Sequence, residues 1–281
     1  MVYVVKDEKK LRNVSLLFSE MYPDLSFINI PAWDCLPYDN ASPSNGIIGE
    51  RIKSFIKLSD INNNPRLILV TINALIQKNI PINYFSKYKL NIKLKDNLNI
   101  NTFLKKINIL GYKRTSSVMK IGEYALRGGI IDIFPPNYDY PLRIDLFSEE
   151  VESIKFFDVL TQISNKKIKN INIIPTSEII MDDVNIDNFK SKYKKLFGIK
   201  SIEDEIFQLV REKQKVNGIE HWISLFYEKL FTLFEILDKK YIFLLDHGFE
   251  EISKSRIDDI KDYFDTRNIN YNEAKKNKNT I

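Results

Sequence analysis

Apolar and polar positions divide the chain into three regions, and the first follows the pattern of alternating strands and helices. VYVV (2–5) is apolar and β-branched, and the apolar residues after it recur at helical spacing. RLILVTINAL (66–75) begins as a continuous apolar run, typical of a parallel strand covered on both faces. The predicted elements are a strand over 2–5, a helix over 11–21, a strand over 25–30, a helix over 47–58 and a strand from 66 that leads into a helix. An α/β unit is therefore expected up to about residue 80.

The second region changes to the period-2 pattern of half-exposed strands. In KYKLNIKLK (87–95) lysines alternate with apolar residues, which predicts a strand with one basic face. A helix over 101–110 is expected to end at Gly111. Four strands follow, over about 116–127, 129–134, 141–148 and 151–157. Connections this short favour an antiparallel meander.

The third region returns to helices and buried strands after INIIP (171–175). The predicted elements are helices over 186–197 and 201–214, a strand over 241–246 and a helix over 249–264. The order along the chain is thus α/β, then β-rich, then α/β. We therefore predict three segments, 1–80, 81–175 and 176–281, in which a small β-rich domain is inserted in a larger α/β one.

Composition narrows the chemistry that such a chain could perform. Among 281 residues Cys35 is the single cysteine, and His221 and His247 are the two histidines. An intrachain disulfide and a zinc site of four Cys and His ligands are therefore excluded. No signal sequence opens the chain and no apolar run approaches the ~18 residues that span a bilayer, so we expect a cytoplasmic protein. The net charge of +5 permits nucleic-acid or acidic-protein partners without requiring them.

Nucleotide-binding motifs are absent from the sequence. None of the nine glycines precedes a lysine, and no two glycines lie two positions apart, so neither the P-loop nor G-x-G-x-x-G is present. The remaining trace is YIFLLDHG, where Asp246 follows an apolar strand at the position of a magnesium-binding carboxylate. His247 follows it, where helicase-type enzymes usually have Glu. Asp246 is thus either a remnant of a nucleotide site or a polar residue at the end of a strand.

No catalytic constellation emerges from the other reactive residues. Cys35 has no histidine near it in sequence and is interpreted as a structural thiol, and His221 as a packing or hydrogen-bonding residue. The carboxylate pairs at 149–150 and 182–183 lie in polar, turn-like stretches where solvation is the default explanation. We therefore predict no catalytic residue and no metal site.

The β-rich middle suggests a binding surface. In PLRIDLF (141–147) period-2 alternation directs Leu142, Ile144 and Leu146 to the core, and Arg143 and Phe147 to the opposite face. Arg127 lies on the polar face of its own strand, and exposed Arg with an aromatic residue is the composition of an interface hot spot. Alternatively, Phe147 covers a neighbouring loop and the arginines pair with Asp145 or Glu149.

Five segments resemble, in order and spacing, the N-terminal region of bacterial transcription-repair-coupling factors, a region that is itself similar to the excinuclease B subunit. They are PAWDCLPYDNASPSNGIIGERI (31–52), GEYALRGGIIDIFP (122–135), PLRIDLFSEEVESIKFFD (141–158), INIIP (171–175) and GIEHW (218–222). The central motif R-G-x-x-x-D-I-F-P is specific, and the resemblance covers nearly the whole chain. Gly46 and Gly49 make the start of the predicted helix looser than the resemblance leads us to expect.

The resemblance implies a fold, a partner and three binding residues. The first and third segments would form one degenerate, helicase-like (P-loop NTPase-like) parallel α/β domain, and the inserted α+β domain would bind excinuclease A. Arg127, Arg143 and Phe147 match positions that contact excinuclease A in the family. RNA polymerase and DNA would be contacted by other parts of the longer family proteins, which also hold ATP and Mg²⁺. For this chain we expect no cofactor, no ATPase and a monomer.

The leading prediction is a module that recruits excision repair to stalled RNA polymerase by binding excinuclease A. Two alternatives remain at this point. The chain could be a fragment of an ATP-dependent DNA translocase, in which Asp246 would matter, or an excinuclease B-like module that binds DNA directly through the lysine-rich strand 87–95. A solvated strand face is the favoured explanation of those lysines.

Overall fold

A computed structural model describes residues 1–59, 67–237 and 241–278 of the chain, with side chains up to residue 269. The strands are β1 (Val2–Val5), β2 (Phe27–Ile30), β3 (Leu67–Thr71), β4 (Leu90–Lys93), β5 (Lys113–Arg114), β6 (Glu123–Arg127), β7 (Ile130–Ile133), β8 (Leu142–Phe147), β9 (Glu150–Phe157), β10 (Ser164–Ile168), β11 (Asn170–Ile173) and β12 (Phe243–Leu245). The α-helices are α1 (Glu8–Met21), α2 (Asn45–Ser59), α3 (Ile72–Ile76), α4 (Ile100–Ile109), α5 (Asp183–Phe197), α6 (Glu205–Arg211), α7 (Ile223–Phe226), α8 (Leu233–Ile236) and α9 (Phe249–Lys278). Short 3₁₀ helices cover Ile82–Tyr88, Ile199–Glu203 and Ile219–Trp222.

Four strands form a parallel sheet in the order β12-β1-β3-β2, which confirms the predicted α/β class. All five residues of β3 are buried, as its continuous apolar run predicts, because helices cover both faces. Leu11 of α1 packs against Leu69 on one face, and Ile52 of α2 lies in the core on the opposite face. Since β12 pairs with β1, the beginning of the chain and the region after residue 240 contribute to one sheet.

Strands β5 to β10 form a second sheet in the order β10-β9-β8-β7-β6-β5, antiparallel except between β5 and β6. The antiparallel meander β6-β7-β8-β9 is confirmed. One face of this sheet packs against α4 and against the two-stranded sheet of β4 and β11. Leu142 and Ile144 are fully buried and Leu146 packs at the edge of that core, as the alternation predicts.

Several predicted elements are shorter or longer in the structure. The strand predicted over 116–127 begins at Glu123, because the Glu123 carboxylate accepts the N–H groups of Met119 and Lys120 and holds the preceding residues in a turn. The strand predicted over 87–95 is limited to β4, since a 3₁₀ helix precedes it. Arg66, where the third strand was predicted to begin, lies outside the described residues.

The helix predicted over 201–214 is also divided, into a 3₁₀ helix and α6, at Asp204, which is extended at φ −63° and ψ 137°. The final helix continues beyond the predicted residue 264 to Lys278, so its apolar spacing underestimates its length. Among the described residues, no helix has both the length and the apolar content needed to cross a bilayer.

The parallel-sheet region and the antiparallel-sheet region are in contact at α2. The described helix begins at Asn45, so Gly46 and Gly49 both lie in its first turns. A methyl group at Gly49 would overlap the side chain of Pro136, whereas nothing lies within 4 Å of the same position at Gly46. Gly49 therefore allows a close approach between α2 and the loop before β8.

Arg51, on the next turn of α2, is fully buried and forms a 2.5 Å ion pair with Glu178. Its other guanidinium nitrogens donate to the carbonyl of Pro31 and the side chain of Asn79. Every nitrogen of the guanidinium therefore has an acceptor, which is the arrangement that makes a buried charge tolerable.

Candidate protein-binding site

Two hairpin turns define the end of the antiparallel sheet at which Arg127 and Phe147 lie. Arg127 and Ile130 pair across the turn Gly128–Gly129, where Gly128 adopts φ +59°. A side chain at Gly129 would lie 2.7 Å from the carbonyl oxygen of Leu146, so only glycine lets β7 approach β8 this closely. The second turn follows Phe147, and Ser148 adopts φ +58° there. Both turns require positive φ, and they lie at the same end of the strands.

The face of β6 to β9 that points away from α4 carries all three predicted residues, and we call it the arginine face. Its centre is Asp132, whose side chain is only 1% exposed. Arg143 donates from Nε to Oδ1 at 2.7 Å and from Nη2 to Oδ2 at 2.9 Å, while Arg127 forms an ion pair with Oδ2. One buried carboxylate therefore holds both arginines.

Arg143 is largely buried, with 17% of its side chain exposed. Its guanidinium lies 4.6 Å from the centre of the Phe157 ring and donates to the carbonyl of Gln162 at 3.1 Å. The hydrogen bonds with Asp132 raise the pKa of Arg143 above its ordinary value, so it is charged at every accessible pH. Arg143 therefore holds Asp132 in place, and little of its own side chain is exposed to a partner.

Arg127 and Phe147 are the residues that project. Half of the Arg127 side chain is exposed, and Phe147 is 77% exposed at the end of β8. The Phe147 ring therefore covers no loop, and the arginines pair with Asp132 rather than with Asp145 or Glu149. Ile130, 38% exposed, lies beside Arg127 across the first turn. An exposed aromatic ring and an exposed, oriented guanidinium on one face of a sheet have the composition of an interface hot spot.

Asp145 lies on the same face and has its own partners. Lys155 binds it at 2.7 Å and Ser153 donates a hydrogen bond to it. Although desolvation alone would raise the pKa of Asp145, these hydrogen bonds lower it below the ordinary value. The carboxylates of the arginine face are thus neutralised internally, which leaves the Arg127 guanidinium and the Phe147 ring available to a partner.

Sequence reasoning missed Asp132 and an apolar rim. Met119, Leu160 and Ile163, in the loops beside Arg143, are 46%, 85% and 68% exposed. Asp132 could have been found, because a two-residue turn after Arg127 fixes the register and places residue 132 opposite Ala125 on the face of Arg127. The rim lies in irregular loops, where no periodicity indicates which side chains are exposed.

Asp246 lies on the other sheet, just after β12, where the carboxyl ends of β12 and β1 meet. Lys10 of α1 binds it at 2.7 Å, and this hydrogen bond, together with the N–H of His247, lowers the pKa of Asp246. Asp7 caps α1 by accepting the N–H of Lys10 at 2.7 Å. The amino terminus of α1, the helix that follows β1, is therefore capped by a carboxylate of the chain itself.

Cys35 and His221 meet in the fold, although 186 positions separate them, and Sγ lies 3.8 Å from Nε2. His221 Nε2 is also 3.1 Å from the carbonyl of Ala41. Burial, followed by the charge of Asp34, raises the pKa of Cys35 to about 11, so the sulfur is a thiol at neutral pH and not a nucleophile. Within the described ranges, no group of three or more His, Cys, Asp or Glu residues could hold a metal ion.

A protein family and several individual bacterial proteins are similar in sequence to this chain. The UvrB interaction domain family matches residues 90–179, which include the arginine face. The transcription-repair-coupling factor of Haemophilus influenzae is 33% identical over 244 residues, 86% of this chain and 21% of that protein. The transcription-repair-coupling factor of Escherichia coli is 30% identical over 221 residues, 78% of this chain and 19% of that protein. The chain thus spans about a fifth of the length of these curated relatives.

Proposed function

The chain is homologous to the N-terminal, excinuclease B-like region of the transcription-repair-coupling factors, and from this relationship we propose that its arginine face binds excinuclease A. Binding there would recruit excision repair to DNA at which RNA polymerase has stalled. Contacts with RNA polymerase and ATP-driven movement along DNA belong, in this proposal, to other regions of the longer relatives.

The observation that carries the proposal is the exposure of Phe147 on the same face as Arg127. A phenylalanine that is 77% exposed in a folded domain gains free energy when a partner removes it from water. Asp132 already orients Arg127 before binding. Arg127 therefore loses little side-chain entropy when it contacts a carboxylate or carbonyl group of the partner. Aromatic and arginine anchors of this kind account for most of the binding free energy at protein interfaces.

We further propose that the parallel domain is a degenerate helicase-like scaffold without ATPase activity. Support comes from the missing glycine–lysine loop, the Asp7 cap on α1 and the ion pair that engages Lys10 with Asp246. A phosphate would have to displace the Asp7 carboxylate from the helix terminus. DNA-stimulated ATP turnover that Asp246→Ala abolishes would contradict this part of the proposal.

Binding to purified excinuclease A, measured by titration calorimetry, tests the docking proposal. Phe147→Ala and Arg127→Ala should each weaken binding by about 2 kcal/mol or more, roughly thirtyfold in affinity. Tyr140→Ala is the matched control, since Tyr140 is 54% exposed just before β8, at the opposite end from Phe147. If both variants bind as tightly as the parent, the arginine face is not the binding site.

A further inference from the structure

The positive charge of the chain is concentrated in its middle. Residues 81–175 contain 15 Lys and Arg against nine Asp and Glu, a net charge of +6, whereas the whole chain carries +5. The rest of the chain is therefore slightly acidic. On the arginine face the two carboxylates Asp132 and Asp145 pair with Arg127, Arg143 and Lys155, so this group carries only one of the excess positive charges. Most of the excess positive charge therefore lies elsewhere in residues 81–175.

Part of it, Lys89 and Lys93, lies on the small sheet of β4 and β11. Ile92 and Ile171 pair across these strands and point into the core. The alternate residues face solvent and are all exposed, and we call them the lysine face: Lys89, Asn91, Lys93, Asn170 and Asn172. Lys93 lies opposite Asn170, and Asn91 opposite Asn172. This face therefore consists of lysine ammonium groups and asparagine amides.

The lysines of this face are available to a ligand. Among the described residues, neither Lys89 nor Lys93 forms an ion pair with an acidic side chain, whereas Lys95, beyond β4, is bound to Glu150 at 2.6 Å. Lys169 extends the positive surface, because its carbonyl accepts the N–H of Leu94 at 3.0 Å and so places it beside the end of β4. Lys166 of β10 is exposed just before it, whereas Lys167 lies opposite Lys155, on the side of the arginine face.

The acidic residues near the Lys93 end of this surface have partners of their own, and exposed Asp139 lies near the other end, next to Tyr138, whose hydroxyl accepts the N–H of Asn172. Asp96 accepts the backbone N–H of Lys93, and Glu149 accepts a hydrogen bond from Asn99. The lysine face also lies on the opposite side of the domain from the arginine face, because β4, β11 and α4 cover the face of the large sheet that Arg127 and Phe147 do not share. Both surfaces can therefore be occupied at once.

We propose that the lysine face binds the phosphate backbone of duplex DNA. Lysine ammonium groups and asparagine amides are donors that contact phosphate and sugar oxygens without reading sequence. Lys89 and Lys93 are four residues apart on an extended strand, which is about 13 Å and matches about four base-pair steps. The outward positions carry no aromatic residue, so the face lacks both the anchors of a protein interface and the stacking platforms of a single-strand binder.

Fluorescence anisotropy of the full chain with a labelled mixed-sequence duplex of about 20 base pairs tests this site, at salt from about 50 to about 200 mM. The parent should bind at low salt. Lys89→Gln/Lys93→Gln should bind more weakly and reduce the slope of log affinity against log salt by about 1.8, since two phosphate contacts are lost. Lys200→Gln/Lys254→Gln, which removes the same charge from exposed positions outside residues 81–175, should behave like the parent.

Three results would overturn the proposal. These are no binding at low salt, equal weakening by the two double variants, and binding of polyglutamate as tightly as DNA, which would assign the surface to acidic proteins. Circular dichroism confirms that the variants are folded. Phe147→Ala separates this site from the proposed docking function, because it should leave DNA binding unchanged whether or not excinuclease A binds the arginine face.

Discussion

The two large sheets of this chain differ in where they place polar side chains. The parallel sheet is covered on both faces, so all five positions of β3 are buried and polar side chains are restricted to the ends of strands. The antiparallel sheet is covered on one face by α4 and the small sheet, and its strands alternate between buried and accessible positions, as β8 shows. Only the second arrangement displays side chains from several neighbouring strands side by side.

Each sheet nevertheless has an acidic residue bound to basic ones, and the difference lies in what remains exposed. At the end of the parallel sheet, Asp246 and Lys10 neutralise each other and Asp7 caps α1, so the site is closed by its own residues. On the antiparallel sheet, Asp132 holds two arginines and leaves Arg127 half exposed. An internal ion pair can therefore either close a site or orient one of its members toward a partner.

The largest predicted effect concerns the buried ion pair of Arg51 and Glu178 and not the arginine face. Arg51→Met should lower the free energy of unfolding by about 3–5 kcal/mol, because Glu178, 1% exposed, would remain as a buried charge without its partner. Urea denaturation measures the loss. Arg12→Met, at an exposed position of α1, should change stability by less than about 0.5 kcal/mol. A loss below about 1 kcal/mol for Arg51→Met would show that the fold does not depend on the buried pair.

A second prediction divides the arginine face into support and contact. Arg143→Ala should reduce stability by about 2–3 kcal/mol, because the buried Asp132 loses two hydrogen bonds and Phe157 loses its cation. Arg127→Ala should reduce it by at most about 1 kcal/mol, since its side chain is half exposed. Thermal or urea unfolding of the two variants gives the comparison, and equal losses would contradict the assignment of Arg143 as the supporting residue.

The sequence predicted the elements whose pattern is local. Continuous apolar runs identify β1 and β3, and period-2 alternation identifies β8 and assigns Leu142 and Ile144 to the core. The same alternation places Phe147 on the opposite face, and the structure shows its ring exposed. Whether Phe147, Arg127 and Arg143 contact excinuclease A stays a prediction, since an exposed side chain does not name its partner.

What the sequence could not predict depends on contacts between distant positions. Arg51 and Glu178 are 127 positions apart, and nothing in either segment indicates that a charge will be buried against the other. The overlap that excludes a side chain at Gly49 comes from Pro136, in another region, so the glycine suggested only a loose helix start. Short 3₁₀ helices such as Ile82–Tyr88 are equally hidden, because they span too few residues to show a period.

The third prediction compares the stability effects of alanine at the two glycines of α2, where this helix contacts the loop before β8. Gly49→Ala should destabilise the chain by about 1–3 kcal/mol, because the added methyl group overlaps Pro136 and α2 must move away. Gly46→Ala should stabilise it by about 0.5–1 kcal/mol, because its position is open and alanine favours a helix. Urea denaturation distinguishes the two, and a gain in stability from both would show that α2 does not need the close approach.

The smallest predicted effect tests the closed site of the parallel sheet. Lys10 and the N–H of His247 hold the pKa of Asp246 below its ordinary value of 3.8, so the folded state binds this proton more weakly than the unfolded state. The stabilisation is therefore complete above the ordinary value and is lost as the pH falls through the lowered pKa. Asp246→Asn should melt slightly below the parent at pH 7, and the difference should vanish in acid. Asp258→Asn, at an exposed position of α9, is the control for the loss of a surface carboxylate. If Asp246→Asn and the parent melt together at neutral pH, the pair with Lys10 contributes nothing to the fold, and the closure of this site rests on the Asp7 cap alone.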